Sequence, residues 1–314
     1  MLGAARTGQS RPAVTLALGA EVRAALRAGR AVVALETTLI CHGLPPPGNR
    51  AFAHSLEEEV RAAGAVPATV AVLDGRLRVG LDPDDLDRLA TTPDVLKASA
   101  RDLAYAVATG RPAATTVAGT IAAAAMAGIG VMATGGIGGV HRGGERSLDV
   151  SADLFELARR PVAVVCSGAK VILDLPRTVE VLETLGVSVV GFGTDELPGF
   201  YCARTGLTVA RIDVVGTLAA LVRARRAIDP DGGVVVAQPP PADLAFGRDE
   251  IEGLVGAAVT QARAAGVHGA AETPFLLAEI ARATSGASVR LNEALVRANA
   301  RLAAALAVEL IRQA

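Results

Sequence analysis

Two amines, Lys97 and Lys170, stand apart in a chain whose other 29 Lys/Arg positions are all arginine. A guanidinium keeps its proton at any working pH. An amine can lose it on burial, attack a carbonyl and form a Schiff base. Lys170 lies in VAVVCSGAK, two residues beyond the Ser167-Gly168 end of an apolar, β-branched run. A buried strand end favours that chemistry, while neutralisation of Asp174 one helical turn away is the structural alternative. Lys97 lies in VLKASARDLAYAV, where it can serve a phosphate as a mobile point charge or stand as a solvated helix residue.

Carboxylates and glycines follow the same logic. Glu36 closes the apolar run AVVALE, and desolvation there turns a carboxyl into a proton donor at neutral pH. The alternative is a structural Glu bonded in its loop, with Thr37 and Thr38 as partners. Residues 130–154, GVMATGGIGGVHRGGERSLDVSADL, hold seven glycines in their first fifteen positions, with His141 and Arg142 among them. Such glycines allow close backbone approach to a ligand, although a surface loop would also use them. In the carboxylate pair that follows, Ser151 reads as the N-cap of the helix ADLFELARR and Asp153 as its first-turn acid. Asp149 precedes the cap and is free to hold a hard divalent cation whose shell water completes. The segment ATTVAGT (114–120) is expected to open a helix, where terminal amides and Thr hydroxyls suit phosphate.

The elements that must position these groups alternate along the chain. Apolar strand candidates occupy 31–36, 68–75, 130–136, 162–168, 188–193 and 233–238, with amphipathic stretches at 50–63, 151–160, 176–186 and 213–228. DGRLRVGL (74–81) reads as the return strand of a hairpin. The pattern predicts a three-layer α/β/α fold on a mixed, largely parallel central sheet. From Asp249 the chain reads as helical, with breaks near 266–269 and 285–286. No linker divides it, so a single catalytic domain over 1–314 is expected, with 1–16 as a poorly ordered extension. In open α/β sheets ligands bind beyond the carboxyl ends of the strands, where Glu36, the glycine-rich segment and Lys170 would converge.

Several function classes are excluded. A net charge of -1, 3% aromatics and no Trp leave neither a phosphate-tracking stripe nor a stacking platform for nucleic acid. Cys41, Cys166 and Cys202 are odd in number and form no CxxC pair, which fits free thiols in the cytoplasm. The uncharged stretch 113–140 reads as a buried helix, a strand and a loop rather than a membrane span. There is no Walker A loop, and the loose GxGxxA match at 128–133 precedes its strand instead of following it. His42, His54 and His268 have no zinc spacing, and no HExxH or GxSxG motif occurs.

Taken together, these segments resemble the pseudouridine-5′-phosphate glycosidase family, also called the indigoidine synthase A-like family, from about Leu16 to Val308. The resemblance rests on ALETTLICHGLPPPGN (34–49), VAVLDGRLRVGL (70–81), KASARDLA (97–104), TTVAGT (115–120), the long run over 130–201, TPFLL (273–277) and NEALVRANARLAA (292–304). It implies a lyase of the hydro-lyase class with glycosidase activity, acting in the degradative direction. Such an enzyme reversibly cleaves the C–C glycosidic bond of pseudouridine 5′-phosphate to uracil and ribose 5-phosphate. The runner-up readings are a Schiff-base lyase acting on another C-nucleotide or sugar phosphate, and a non-catalytic sugar-phosphate binder. The resemblance also implies one Mn²⁺ per subunit, with Mg²⁺ or another divalent ion as a substitute, and a homotrimer. Lys170 matches the imine-forming lysine, Glu36 the proton-shuttling acid and Asp149 the metal ligand. Lys97, Thr116 and Val117 match substrate contacts at the phosphate end. Ser151, Ala152 and Asp153 lie in the matched substrate-contact segment, and His141 in the matched glycine-rich loop is a base or a ribose contact.

The chain departs from the family pattern at three places. Gln238-Pro239-Pro240-Pro241 stands where Asn-Pro-Ile-Pro is usual. Ala270 replaces a common lysine, and Glu272 replaces a valine before Thr273-Pro274-Phe275. These changes bear on substrate contacts and rate and leave the lysine, acid and metal ligand in place.

Overall fold

The computed structural model describes residues 16–267 and 269–313. Most of the expected N-terminal extension and His268 lie outside the described residues, as does the side chain of Ala270. Among the described residues eleven strands form the sheet: β1 (Leu16–Leu18), β2 (Val32–Leu35), β3 (Val66–Leu73), β4 (Arg76–Val79), β5 (Leu96–Ala98), β6 (Ala113–Thr115), β7 (Val131–Ala133), β8 (Ala163–Cys166), β9 (Ser188–Phe192), β10 (Ala210–Ile212) and β11 (Val234–Ala237). The main path runs β1-β4-β3-β2-β7-β8-β11-β9-β10, with β6 joining β3 and β5 joining β6. Among the described strand pairs only β3–β4 and β3–β6 are antiparallel, so the sheet is mixed and largely parallel, with helices on both sides. The central strands β2, β3, β7, β8 and β11 are buried along their whole length, as expected of strands covered on both faces.

The expected long strands and helices all form. The C-terminal region is helical over Arg248–Ala264, Glu272–Ala283 and Ala287–Arg312, with breaks where glycines were expected to place them. Four three-residue strands, β1, β5, β6 and β10, were not foreseen, because three residues are too few to display a period of two. This corrects one reading. Lys97 sits at the centre of β5 and is not on a helix. ATTVAGT opens a helix as expected, at Val117 and running to Ala127, while its first two residues, Ala114 and Thr115, belong to strand β6.

One feature of the topology builds the site. The first half of β3 pairs in parallel with β2, whereas Ala71 and Val72 pair antiparallel with β6. β2 and β6 therefore meet end to end along β3, their carboxyl ends facing each other at Val70. The junction is sealed by buried threonines. Thr37 Oγ1 and Thr115 Oγ1 both donate to the Val70 carbonyl, at 2.7 and 2.9 Å, and Thr115 N donates to Thr37 Oγ1 at 2.9 Å. A hydroxyl that donates and accepts at once satisfies backbone groups that neither strand can reach alone.

Candidate active site

The carboxyl ends of β2, β6, β7 and β8 open into one cavity of about 430 Å³, within the range of small-molecule sites. All ten site residues expected from the sequence line it: Glu36, Lys97, Thr116, Val117, His141, Asp149, Ser151, Ala152, Asp153 and Lys170. They come from segments more than a hundred residues apart, so the meeting of strand ends assembles them.

Glu36 follows β2 and accepts hydrogen bonds from Thr38 Oγ1 and from Thr134 Oγ1 at the end of β7. Thr37, expected as its partner, is instead committed to the β2–β6 junction. The loops after β7 and β8 are laced together. Ser167 N donates to Gly135 O at 2.8 Å, Ile137 N to Gly168 O at 3.0 Å and Lys170 N to Ile137 O at 3.1 Å. Gly168 adopts φ +77, and a Cβ there would sit 1.8 Å from the Pro198 carbonyl, so only glycine lets the chain turn toward Lys170. Asp174 does not hold Lys170. It caps the helix Leu175–Thr184 through Arg177 N and pairs with the Arg177 guanidinium at 2.7 Å.

Lys97 is half-buried and projects from β5 into the cavity. Burial, and then the charge of Lys170, push its ammonium below the ordinary lysine range, partly offset by Glu36 and Asp153. The His42 imidazole is likewise pushed down by burial and by Lys97. Two acids and two amines thus share one electrostatic neighbourhood. Buried His42 Nε2 and Asn292 Oδ1, both on lining residues, have no hydrogen-bond partner among the described residues. Orphaned polar atoms beside a cavity mark positions a polar ligand would satisfy.

Asp153 stands in the first turn of its helix, as expected, and its carboxylate reaches beyond that helix. Ser151 does cap the helix Ala152–Arg159, accepting from Asp153 N at 3.2 Å. The Asp153 carboxylate, 5% exposed, leaves its own helix and accepts from Ala118 N at 2.8 Å and Gly138 N at 2.7 Å. It therefore clamps the start of the helix Val117–Ala127 to the glycine-rich loop. Thr116 Oγ1 takes Gly119 N at 3.3 Å, so two amides expected to be free for phosphate are already used. A Cβ on Gly138 would stand 2.3 Å from Ser151 Oγ, which explains a glycine at that crossing.

The antiparallel bridge Val140–Val150, with His141 N donating to Asp149 O at 3.0 Å, brings His141 beside Asp149. Glu272, at the start of the helix Glu272–Ala283, completes the group: its Oε2 lies 3.4 Å from His141 Nδ1. One ligand atom from each of the three falls within 4.8 Å of the others, a donor set that fits a divalent cation. Sequence reasoning took Glu272 only as a departure; the signal was a carboxylate where the family has an apolar residue. It also missed Asn299. This fully buried residue of the helix Ala287–Arg312 donates to Thr134 O at 2.9 Å and Ser167 Oγ at 3.1 Å, tying the ends of β7 and β8. An Asn in an apolar helical stripe was the available clue.

Known proteins resemble this chain in sequence and in fold. The family model described as indigoidine synthase A like protein matches residues 21–309. A pseudouridine-5′-phosphate glycosidase of Herpetosiphon aurantiacus is 54% identical over 298 residues, covering 95% of this chain and 98% of that protein. One from Methylobacterium nodulans is 55% identical over 291 residues, covering 92% and 86%. Among solved structures, the prealnumycin C-glycosynthase AlnA in complex with ribulose 5-phosphate superposes with a TM-score of 0.89 at 38% identity, covering 96% of this chain and 99% of that one. An indigoidine synthase A-like protein of Thermotoga maritima gives 0.87 at 33%, covering 98% and 100%. Matched along almost its whole length by the family model and by relatives at half identity, the chain belongs to the indigoidine synthase A like family.

Proposed function

We propose that this chain is an enzyme that reversibly cleaves the C–C glycosidic bond of pseudouridine 5′-phosphate, giving uracil and ribose 5-phosphate. The observation that carries the reading is the pairing, in one cavity, of a lysine without an ion-pair partner among the described residues and a carboxyl held by two threonines. A C-glycoside has no leaving-group oxygen on its base, so the two-carboxylate route of ordinary glycosidases does not serve. An amine that becomes an imine at C1′ supplies the missing electron sink.

Glu36 gives a proton to O4′ as the C1′–O4′ bond breaks, with electrons drawn from the uracil ring to form a C1′–C5 double bond. The Lys170 amine adds to C1′, the ring recovers its electrons, and the proton shed by the nitrogen passes to Glu36. Glu36 returns a proton to C5. The C1′–C5 bond then breaks toward uracil while the nitrogen lone pair forms the imine. Water hydrolyses the imine to ribose 5-phosphate and frees the lysine, so one water is consumed overall. Lys97 holds the phosphate, with the Thr116–Val117 start of the helix as its backbone partner. Ser151 and the Ala152 backbone line the substrate, and Asp153 fixes that wall. Asp149, with His141 beside it, would hold the Mn²⁺ or Mg²⁺ ion, which when bound orients water and polarises the uracil carbonyls.

Reduction with borohydride in the presence of ribose 5-phosphate tests the imine. The adduct should map to Lys170, and Lys170→Arg should lose it together with at least ~10³-fold in turnover. Wild-type turnover in Lys170→Arg would end the imine route. A second reading is favoured by the C-glycosynthase neighbour with ribulose 5-phosphate. There the same imine chemistry serves another C-nucleotide or sugar phosphate, and an adduct without uracil release from pseudouridine 5′-phosphate would select it. The homotrimer and the cytoplasmic location belong to the same proposal, and sedimentation of the purified protein checks the former. No helix of the described residues is long and apolar enough to cross a membrane.

A further inference from the structure

We propose that Glu272 is a metal ligand in this chain, so that His141, Asp149 and Glu272 together form a three-ligand divalent cation site. This rests on the reading of Asp149 as the metal residue and extends it to donors from two further segments. Three observations carry it. The ligand atoms lie within 4.8 Å of one another, and His141 Nδ1 is 3.4 Å from Glu272 Oε2. With metal–ligand bonds of about 2.1–2.2 Å, adjacent donors of an octahedral shell stand about 3.0 Å apart and opposite ones about 4.2–4.4 Å, so one ion can span the set with little adjustment.

The second observation is charge. This chain has 29 arginines, and most of its partly buried carboxylates pair with one. Neither Asp149 nor Glu272 pairs with an arginine or lysine among the described residues, although a carboxylate oxygen of each lies within 4.8 Å of the other beside the cavity that Asp149 lines. Adjacent carboxylates repel, and a cation between them removes the repulsion. The third is the origin of the three donors. His141 and Asp149 are held by the Val140–Val150 bridge, and Glu272 arrives on a separate helix whose next residues, Thr273 and Pro274, line the cavity. An imidazole nitrogen in the set favours Mn²⁺ and its transition-metal neighbours over Mg²⁺, which prefers oxygen and water.

Mn²⁺ binding to the chelator-treated full chain, followed by electron paramagnetic resonance of the free ion, is the test. The variants are Asp149→Asn, Glu272→Gln, Glu272→Val and His141→Gln, with circular dichroism to confirm folding. Glu272→Gln and Glu272→Val should each weaken Mn²⁺ binding tenfold or more, and His141→Gln should narrow the preference for Mn²⁺ over Mg²⁺. The bound ion should show nitrogen coupling that His141→Gln removes. If both Glu272 variants bind Mn²⁺ like wild type while Asp149→Asn loses it, Glu272 is not a ligand and the Asp149 reading survives. If the wild-type chain binds no Mn²⁺, both readings fall.

Discussion

Asp153 offers the sharpest quantitative test of how this site is built. Its two carboxylate oxygens each accept a backbone amide, Ala118 N and Gly138 N, in a buried setting. Replacing it with asparagine keeps the shape, leaves one acceptor oxygen and turns an NH₂ donor toward the other amide. A hydrogen bond to a charged group contributes about 1.5–3 kcal/mol, and an unsatisfied buried donor costs about 1–3 kcal/mol. Asp153→Asn should therefore cost about 3 kcal/mol. With an unfolding entropy of roughly 2.1 cal/mol/K per residue, that is a fall of ~4–5 °C in Tm for a chain of 314 residues. Asp153→Ala, which strands both amides, should fall further. The assay is thermal unfolding beside steady-state kinetics on pseudouridine 5′-phosphate. A clamp predicts lost stability, with kcat falling because the Gly138 loop and the Thr116–Val117 corner drift. If Asp153→Asn melts within ~1 °C of wild type while KM rises tenfold or more, the carboxylate acts on the substrate, and the clamp account of this wall is wrong.

Three further outcomes follow from the electrostatics of the cavity. Glu36→Gln retains partners for Thr38 and Thr134, so Tm should move by less than ~2 °C while turnover falls at least ~10²-fold, the usual share of a positioned proton donor; near-wild-type turnover would remove Glu36 from the chemistry. Lys97 is held below the ordinary lysine range by burial and by Lys170, so a bound phosphate dianion should raise it again. Binding of ribose 5-phosphate should then take up protons, increasingly as pH rises above the depressed value. Calorimetry in buffers of different ionisation enthalpy measures this, and Lys97→Met should abolish the uptake. In the unliganded chain the sign is the reverse of a salt bridge. The charged amine is disfavoured by folding, so its cost is full below the folded-state value and vanishes as pH rises past the unfolded one. Lys97→Met should therefore stabilise the empty protein most at low pH.

The sequence by itself determined the layered fold, because six apolar runs and the amphipathic stretches between them each carry their period locally. It also marked the chemistry-bearing groups, because a lone lysine beyond a strand, a carboxylate at another strand's end and a glycine-rich turn announce themselves by residue type. The family resemblance added their roles. What tertiary structure alone decided was partnership. Lys97 looked helical because β5 is too short to show a strand's alternation, and only pairing with β6 fixes it. Asp153 read as the first-turn acid of its own helix, yet its carboxylate serves the start of another helix and the Gly138 loop. Glu272 stood in sequence as a lone departure and becomes a neighbour of His141 and Asp149 only when the C-terminal helices fold back over the strand ends. Periodicity is a property of neighbours along the chain. Hydrogen-bond partners and charge balance depend on neighbours in space, and here those lie up to 242 residues apart.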